Sequence, residues 1–418
     1  MEPSGSEQKA LSHLRICDFT GVLAGAGATR ILAAFGAQVI RVEDRVTEGR
    51  WDILRGNAPF PEGKQGLEMG GAFNNHNVEK LGITLNMRSP KGKELLRKLI
   101  GICDVLTENF SAGVVARWGF PYEEMAKINP SIIYVSNSGF GHTGPYSKFK
   151  TWGPTVQAVS GLTFLSGLAD MPPAGWGYSY MDHSGAYFMC LAILMALYHR
   201  DMTGQGQWVD LGCTEAAIPL CGPSLLDYTV NGRRARRPGQ PHSNRNDSPA
   251  MAPHGIYRCM SEDRWVAIAV RNERDWQAFC DVLGHCEWLD DPCLATLDAR
   301  MANQDELDFV IEAWTSERDP YEIMEALQQR GIPAAAVQTP EERIEYDPNT
   351  QAWGLYLEVE HPEMGRVRVD GIPAKFSAMP AHIRRGAPLL GQHNDYVYGD
   401  LLGLSAAKIS ALREEGVI

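Results

Sequence analysis

Between Leu14 and Glu43 the chain passes through a short strand-like run, a helix of small and aliphatic residues and a second strand-like run, a succession that few folds accommodate. Leu14–Thr20 has the alternation of a strand, the segment after Gly21 carries the Ala/Leu spacing of a helix, and Gln38–Glu43 alternates again, which makes one β-α-β unit. The pattern continues. A helix is expected from about residue 91 to 100, a strand through Asp104, Val105 and Leu106, a helix around Tyr122–Asn129 and a strand at Ile132–Val135. Strands that alternate with helices are covered most economically in a largely parallel sheet, so the predicted class is α/β. Ligands of such a sheet bind at the carboxyl ends of its strands.

Beyond residue 180 the character changes. Tyr187–Tyr198 is apolar on nearly every face, which fits a helix buried in a large core or in a subunit contact. Residues 231–253 are rich in Arg, Pro, Gly and Asn, with Arg233, Arg234, Arg236 and Arg237 clustered, and read either as a linker or as a ligand-facing loop. A hairpin with its turn at Ser261–Asp263 and three helical patterns then define a compact unit, and residues 354–378 return to strand-like alternation before a closing helix. The expected organisation is residues 1–225 as the first part of a large domain, 226–250 as a linker, 251–335 as a small domain and 336–418 as a return segment.

The 418 residues include 51 acidic and 39 basic side chains, a formal charge of -12, so the average field repels a polyanion and argues against nucleic acid as partner. The first ten residues lack the charged and apolar segments of a secretory signal, and Tyr187–Tyr198 falls short of the roughly 20 residues a membrane span needs, so a cytoplasmic protein without a membrane partner is expected. Nine cysteines stand at 17, 103, 190, 213, 221, 259, 280, 286 and 293, none at C-x-x-C spacing. The last three approach metal-ligand spacing only loosely and are read as buried packing residues, so no metal site is implied.

Small residues at 21 and 24–27 would let a ligand or a second backbone approach closely, and the helix that follows would offer free N–H groups to phosphate. They do not reproduce G-x-G-x-x-G, and close helix packing explains them equally well. Asp182 stands at the start of the apolar helix. It either caps the helix or serves as a nucleophile that the helix field keeps ionised. A carboxylate that attacks an acyl thioester forms a mixed anhydride and frees a thiolate, and the N–H groups of a glycine loop such as residues 137–149 can hold the oxyanions. His183 and His142 are each either a base or substrate contact, or a structural histidine. No G-x-S-x-G elbow and no H-E-x-x-H motif is present.

On seven pieces in order the sequence resembles the class III CoA-transferase family, which includes formyl-CoA and carnitine CoA-transferases and the alpha-methylacyl-CoA racemases. The pieces are Ala24–Glu43, Lys80 ahead of Ile83–Met87, Glu108–Gly113, Gly141–Tyr146 together with Asp182, His199–Asp210, Gly331–Val337 and Pro388–His393. The resemblance implies a Rossmann-like large domain built from both chain ends, a smaller α+β domain between them, and an interlocked homodimer. It implies Asp182 as the acyl-carrying aspartate, with Gly139 and Tyr146 in the loop near the thioester. Val22, Leu23, Ala24, Arg41, Lys80, Asn109 and Phe110 match positions that hold CoA. No tightly bound cofactor is implied, and CoA thioesters and carboxylic acids enter as substrates.

The chain departs from the family's pattern in two places. Ser111 stands where the transferases commonly have Arg, so a phosphate contact is either absent or supplied by Arg88, Arg97 or the 233–237 cluster. Residues 241–249 replace a glycine gate, and Arg245 there is a candidate for the acceptor carboxylate. Racemases carry a His-Asp pair where this chain has Trp152 and Gly153, and a Trp cannot be the second base that proton exchange needs. A CoA-binding subunit of a heteromer is a further alternative, against which Asp182 speaks. Trp152, Tyr180 and the aromatic run from Trp176 suit a bulky acid, and the pattern looks closest to the benzylsuccinate branch with succinyl-CoA as donor.

Overall fold

The computed structural model describes residues 9–418, and the chain divides into two compact units. The larger contains the chain to Ser166, Ala174–Arg233 and Ala352–Ile418; the smaller contains Gly167–Pro173 and Arg234–Gln351. Residues 226–250 are not one connecting piece. Gly222–Asn231 is a helix of the larger unit, and from Arg234 onward the chain belongs to the smaller one.

Six strands form the sheet of the larger unit: β1 (Arg15–Phe19), β2 (Gln38–Asp44), β3 (Leu81–Leu85), β4 (Val105–Glu108), β5 (Ile133–Ser138) and β6 (Gln207–Gly212). Their order is β3-β2-β1-β4-β5-β6 and every pairing is parallel, which is the doubly wound order of dinucleotide-binding sheets. Alternation along each strand sends successive side chains to opposite faces. Ile16, Val39, Val105 and Ile133 pack on one face against α1 (Ala26–Ala34). Cys17, Ile40, Leu106 and Tyr134 pack on the other, against α2 (Pro90–Ile102) and against Tyr398, Ile409 and Leu412 from the C-terminal segment. Both faces are covered, as a parallel sheet requires.

Two further helices bring the chain back over the sheet: α3 (Gly153–Val159) and α4 (Tyr180–Thr203). Gly204, at φ 73°, ends α4 in the left-handed turn usual for helix C-termini. At 24 residues α4 exceeds the apolar run visible in sequence and is long enough to cross a bilayer. One of its faces, with Ala186, Met189, Cys190, Ile193 and Leu197, is packed into the sheet core instead. Its other face leaves Tyr187, Leu191, Met195, Tyr198 and Met202 exposed. Near its start Gly185 lies flush against Cys213, where a Cβ would fall 2.7 Å from the Cys213 sulfur.

The smaller unit is an antiparallel three-stranded sheet, Ala334–Ala336, Trp265–Ala269 and His254–Arg258, packed with the helices Glu273–Leu283, Gln304–Thr315 and Pro320–Gln329. Asn272 and Asp319 cap two of those helices with their side chains. Trp276, Phe279, Ile311, Ile323 and Leu327 fill the core. Of the three cysteines expected to be buried here, Cys280 is. Cys286 and Cys293 are exposed, because Cys286 opens the short 3-10 helix Cys286–Leu289 and Cys293 lies in the turn after it, instead of on the apolar face of the first of these helices.

Candidate active site

At the carboxyl ends of β1, β4 and β5 the larger unit encloses a cavity of about 480 Å³. One wall is the turn after β1. Val22 is held there at φ 55°, a backbone state that a β-branched residue adopts at a cost of roughly 1–3 kcal/mol. Asn109, just past β4, fixes that turn: its Oδ1 accepts the Gly21 N–H at 2.8 Å and its Nδ2 donates to the Gly21 carbonyl at 2.9 Å. Phe110 packs against Trp51 at a tilt, with ring centroids 4.9 Å apart, and both rings line the cavity.

The opposite wall is the glycine loop after β5. Gly139 accepts the Thr214 N–H at 3.0 Å, and a Cβ at Gly139 would fall 2.1 Å from Thr151 Oγ1, so this close approach admits only glycine. Phe140, Phe149 and Trp152 complete an aromatic lining. Lys150 Nζ donates to Ser111 Oγ at 3.2 Å, which sets an ammonium at the position where sequence reasoning found arginine missing.

Asp182 reaches the same cavity from the first turn of α4, where a Cβ on Gly153 would lie 3.2 Å from its Oδ1. Ser179, not Asp182, is the N-cap residue. The helix field was expected to hold the carboxylate in its charged form. Burial pushes its pKa up to about 6, and the hydrogen bond from Ser179 only partly offsets this, so the carboxylate is still charged at neutral pH. Cys213 borders the same space; burial pushes its thiol up to about 12, with Asp182 adding to the effect, so it is a protonated packing residue that donates to Asn137 Oδ1 at 3.0 Å.

The cavity thus gathers Asp182, Gly139, Val22, Ala24, Asn109, Phe110 and Trp152 from the residues singled out in sequence. Others lie elsewhere. Leu23 is buried beneath the turn. Arg41 is fully enclosed, donating to the Thr20 carbonyl at 2.7 Å and to Asp52 at 2.6 Å, and Lys80 is enclosed beside Asp18 at 3.2 Å. Neither side chain is open to a nucleotide, because each neutralises a carboxylate beneath the strand ends. Tyr146 is half exposed and stacks on Phe149 at 4.8 Å, one residue removed from the lining. Tyr180 packs edge-on against Trp176. Arg245 belongs to the smaller unit, where Asp305 at 2.6 Å and Asp308 at 2.7 Å occupy its guanidinium. His183 stacks on Tyr178, and His142 faces Glu108.

A second cavity of about 300 Å³ shares the Trp51 and Phe110 wall and is bordered by Phe19, Met87, Arg88 and Trp118. Arg97 is not part of it and lies over the Phe120 ring. Trp51, Phe149 and Lys150 were missed in sequence because they sit in loops without periodicity. The one available signal was the density of aromatic and basic residues around the glycine loop.

A doubly wound sheet with a cleft at its strand ends places this chain among α/β proteins that bind ligands there, and Asp182 is the carboxylate in that cleft. The sequence model of CoA-transferase family III matches residues 11–394, and the chain belongs to that family of CoA-transferases. It is 34% identical over 427 residues to a formyl-CoA:oxalate CoA-transferase of Afipia carboxidovorans, covering 98% of both chains. It is 32% identical over 412 residues to a succinyl-CoA–D-citramalate CoA-transferase of Chloroflexus aurantiacus, again with 98% of both covered. Among solved structures, a CAIB/BAIF family protein from Brucella suis superimposes with a TM-score of 0.83 at 28% identity, covering 94% of this chain and 99% of that one.

Proposed function

We propose that the chain moves coenzyme A from an acyl-CoA donor to a carboxylic acid acceptor with Asp182 as the covalent carrier. The observation that carries this reading is a carboxylate enclosed in the cavity that, among the described residues, no cation neutralises. A half-buried carboxylate with a hydrogen bond from Ser179 but no cation beside it costs stability, and such a group in a cleft is a candidate for function. An Asp182 oxygen attacks the thioester carbonyl, the C–S bond breaks and a mixed anhydride forms with release of CoA thiolate. The thiolate attacks the aspartyl carbonyl, so the donor acid leaves and an enzyme thioester remains. The acceptor carboxylate reverses the two steps and restores Asp182, with no net proton transfer. N–H groups of the glycine loop beside Gly139 are the donors suited to the tetrahedral oxyanions. Lys150 and Arg88 suit the phosphates of the nucleotide end, in the first and second cavity respectively.

The aromatic lining of Trp51, Phe110, Phe140, Phe149 and Trp152 favours a bulky or aryl-substituted acid as acceptor, benzylsuccinate being the example, and succinyl-CoA is the proposed donor. Two copies of the chain are proposed to form the working enzyme, which would cover the apolar stripe on α4. Sedimentation would report a dimer; a fully active monomer at micromolar concentration would overturn the dimer.

The central test incubates the enzyme with a panel of acyl-CoAs, quenches with hydroxylamine and maps the modified residue by mass spectrometry. Asp182 should carry the label. Asp182→Asn should lower exchange at least 1,000-fold, on the order of 4 kcal/mol in the barrier, with CoA binding kept. Normal turnover by that variant would end the reading.

A further inference from the structure

We infer that Glu108 is a positioning residue of the transfer site, which fastens the glycine loop, through His142, to the strand end that carries Asn109 and Phe110. This deepens the reading of the cavity as a thioester site and rests on it. Glu108 is the last residue of β4 and is 1% exposed. Its Oε2 accepts the Phe110 N–H at 2.7 Å and its Oε1 accepts the Tyr134 hydroxyl at 2.9 Å. The same Oε1 lies 3.3 Å from His142 Nε2. That nitrogen is buried and has no aligned hydrogen-bond acceptor, so the contact is mainly one of charge.

His142 is also held through its backbone, whose N–H donates to both Asp210 oxygens at 2.9 Å. Two strands therefore each send a group to this one loop residue, Glu108 from β4 and Asp210 with the Trp208 ring from β6, while Tyr134 from β5 holds Glu108 in place. Thr214 fixes the other end of the loop at Gly139. Gly139 and Phe140 line the cavity between these two fastenings, opposite Phe110.

One carboxylate thus ties both walls of the cavity, Phe110 directly and the loop through His142. A displacement of about 1 Å in such donors is enough to slow a reaction on the order of 100-fold. Burial works against the His142 imidazolium, but Glu108 and then Asp210 outweigh it and the pKa is raised. The tie is an ion pair below that raised pKa and weakens as pH climbs through it.

The experiment compares wild type with Glu108→Gln, which keeps an acceptor oxygen for the Phe110 N–H and turns an amide N–H toward the Tyr134 hydroxyl, which can accept it, while removing the charge, and with His142→Gln on the loop. The expected result is a fall in kcat/KM of about 10- to 100-fold with little change in melting temperature, and loss of the alkaline limb of the pH profile in both variants. The His142 ring-proton NMR signal should titrate above the ordinary value in wild type and return toward it in Glu108→Gln. Unchanged kcat/KM, an unchanged His142 titration, or activity that falls only in step with melting temperature would overturn the inference. An enzyme that never labels at Asp182, yet shows the His142 shift, would sink the transfer reading and leave the fastening intact.

Discussion

Two aspartates in the larger unit, the buried Asp18 and the half-buried Asp182, have opposite chemistry. Asp18 lies at the end of β1 with no exposure, and its carboxylate accepts hydrogen bonds from Thr20 at 2.5 Å and from Thr29 and Thr107 at 2.8 Å, with Lys80 at 3.2 Å. Burial alone would raise its pKa, but Lys80, Arg41 and those hydroxyls hold it below the usual carboxylate range. Lys80 is itself pushed down to about 8 by burial, which leaves it charged at neutral pH. Asp182 has a cavity where Asp18 has a cation, and its pKa rises to about 6. The difference teaches that the supply of partners, more than depth of burial, separates an aspartate that holds the fold from one free to react.

The largest expected effect that would sharpen this contrast is on the paired side. Lys80→Met leaves Asp18 buried without its cation and should cost about 3–5 kcal/mol in urea unfolding. A smaller loss would mean that the threonines alone satisfy Asp18. On the unpaired side the sign reverses. The unfolded chain releases the Asp182 proton near 3.8 and the folded chain near 6, so ionising this residue costs stability that is intact below about 3.8 and is lost as pH rises to about 6. Asp182→Asn should therefore be more stable than wild type at pH 7–8, on the order of 3 kcal/mol at most, with the gain vanishing near pH 4. Equal stability at both pH values would break the comparison. The smallest effect is kinetic: kcat/KM should fall about tenfold per pH unit below roughly 6, through loss of the Asp182 carboxylate. A profile flat down to pH 4.5 would remove Asp182 from the rate-determining ionisation.

Four of the six strands, β1, β2, β4 and β5, were legible in sequence because they are short, largely apolar runs separated by helices with regular spacing, as burial on both faces requires. Asp182 was legible because an acidic residue at the head of an apolar helix stands out. The upward shift of its pKa was not, since the field of α4 is a local property, whereas the burial that dominates depends on packing such as that of Gly153 at the start of α3. Arg41 and Lys80 match positions that hold CoA in the family the sequence resembles, yet here both side chains turn inward. Their inward turn depends on Asp18 and Asp52, whose nearness only the folded chain establishes. Cys286 and Cys293 illustrate the reverse error, in which a residue type that usually packs inward falls in turns that reach solvent.

Gly185 sits one turn beyond Asp182, pressed against the sulfur of Cys213. A single methyl group added there would act as a shim under a lever, prying the head of the helix from its seat and swinging the carboxylate off its line of attack. On the proposed reading of Asp182 as the nucleophile, its aim is set partly by an atom the protein lacks, and reactivity can be detuned from a position that need not touch the substrate.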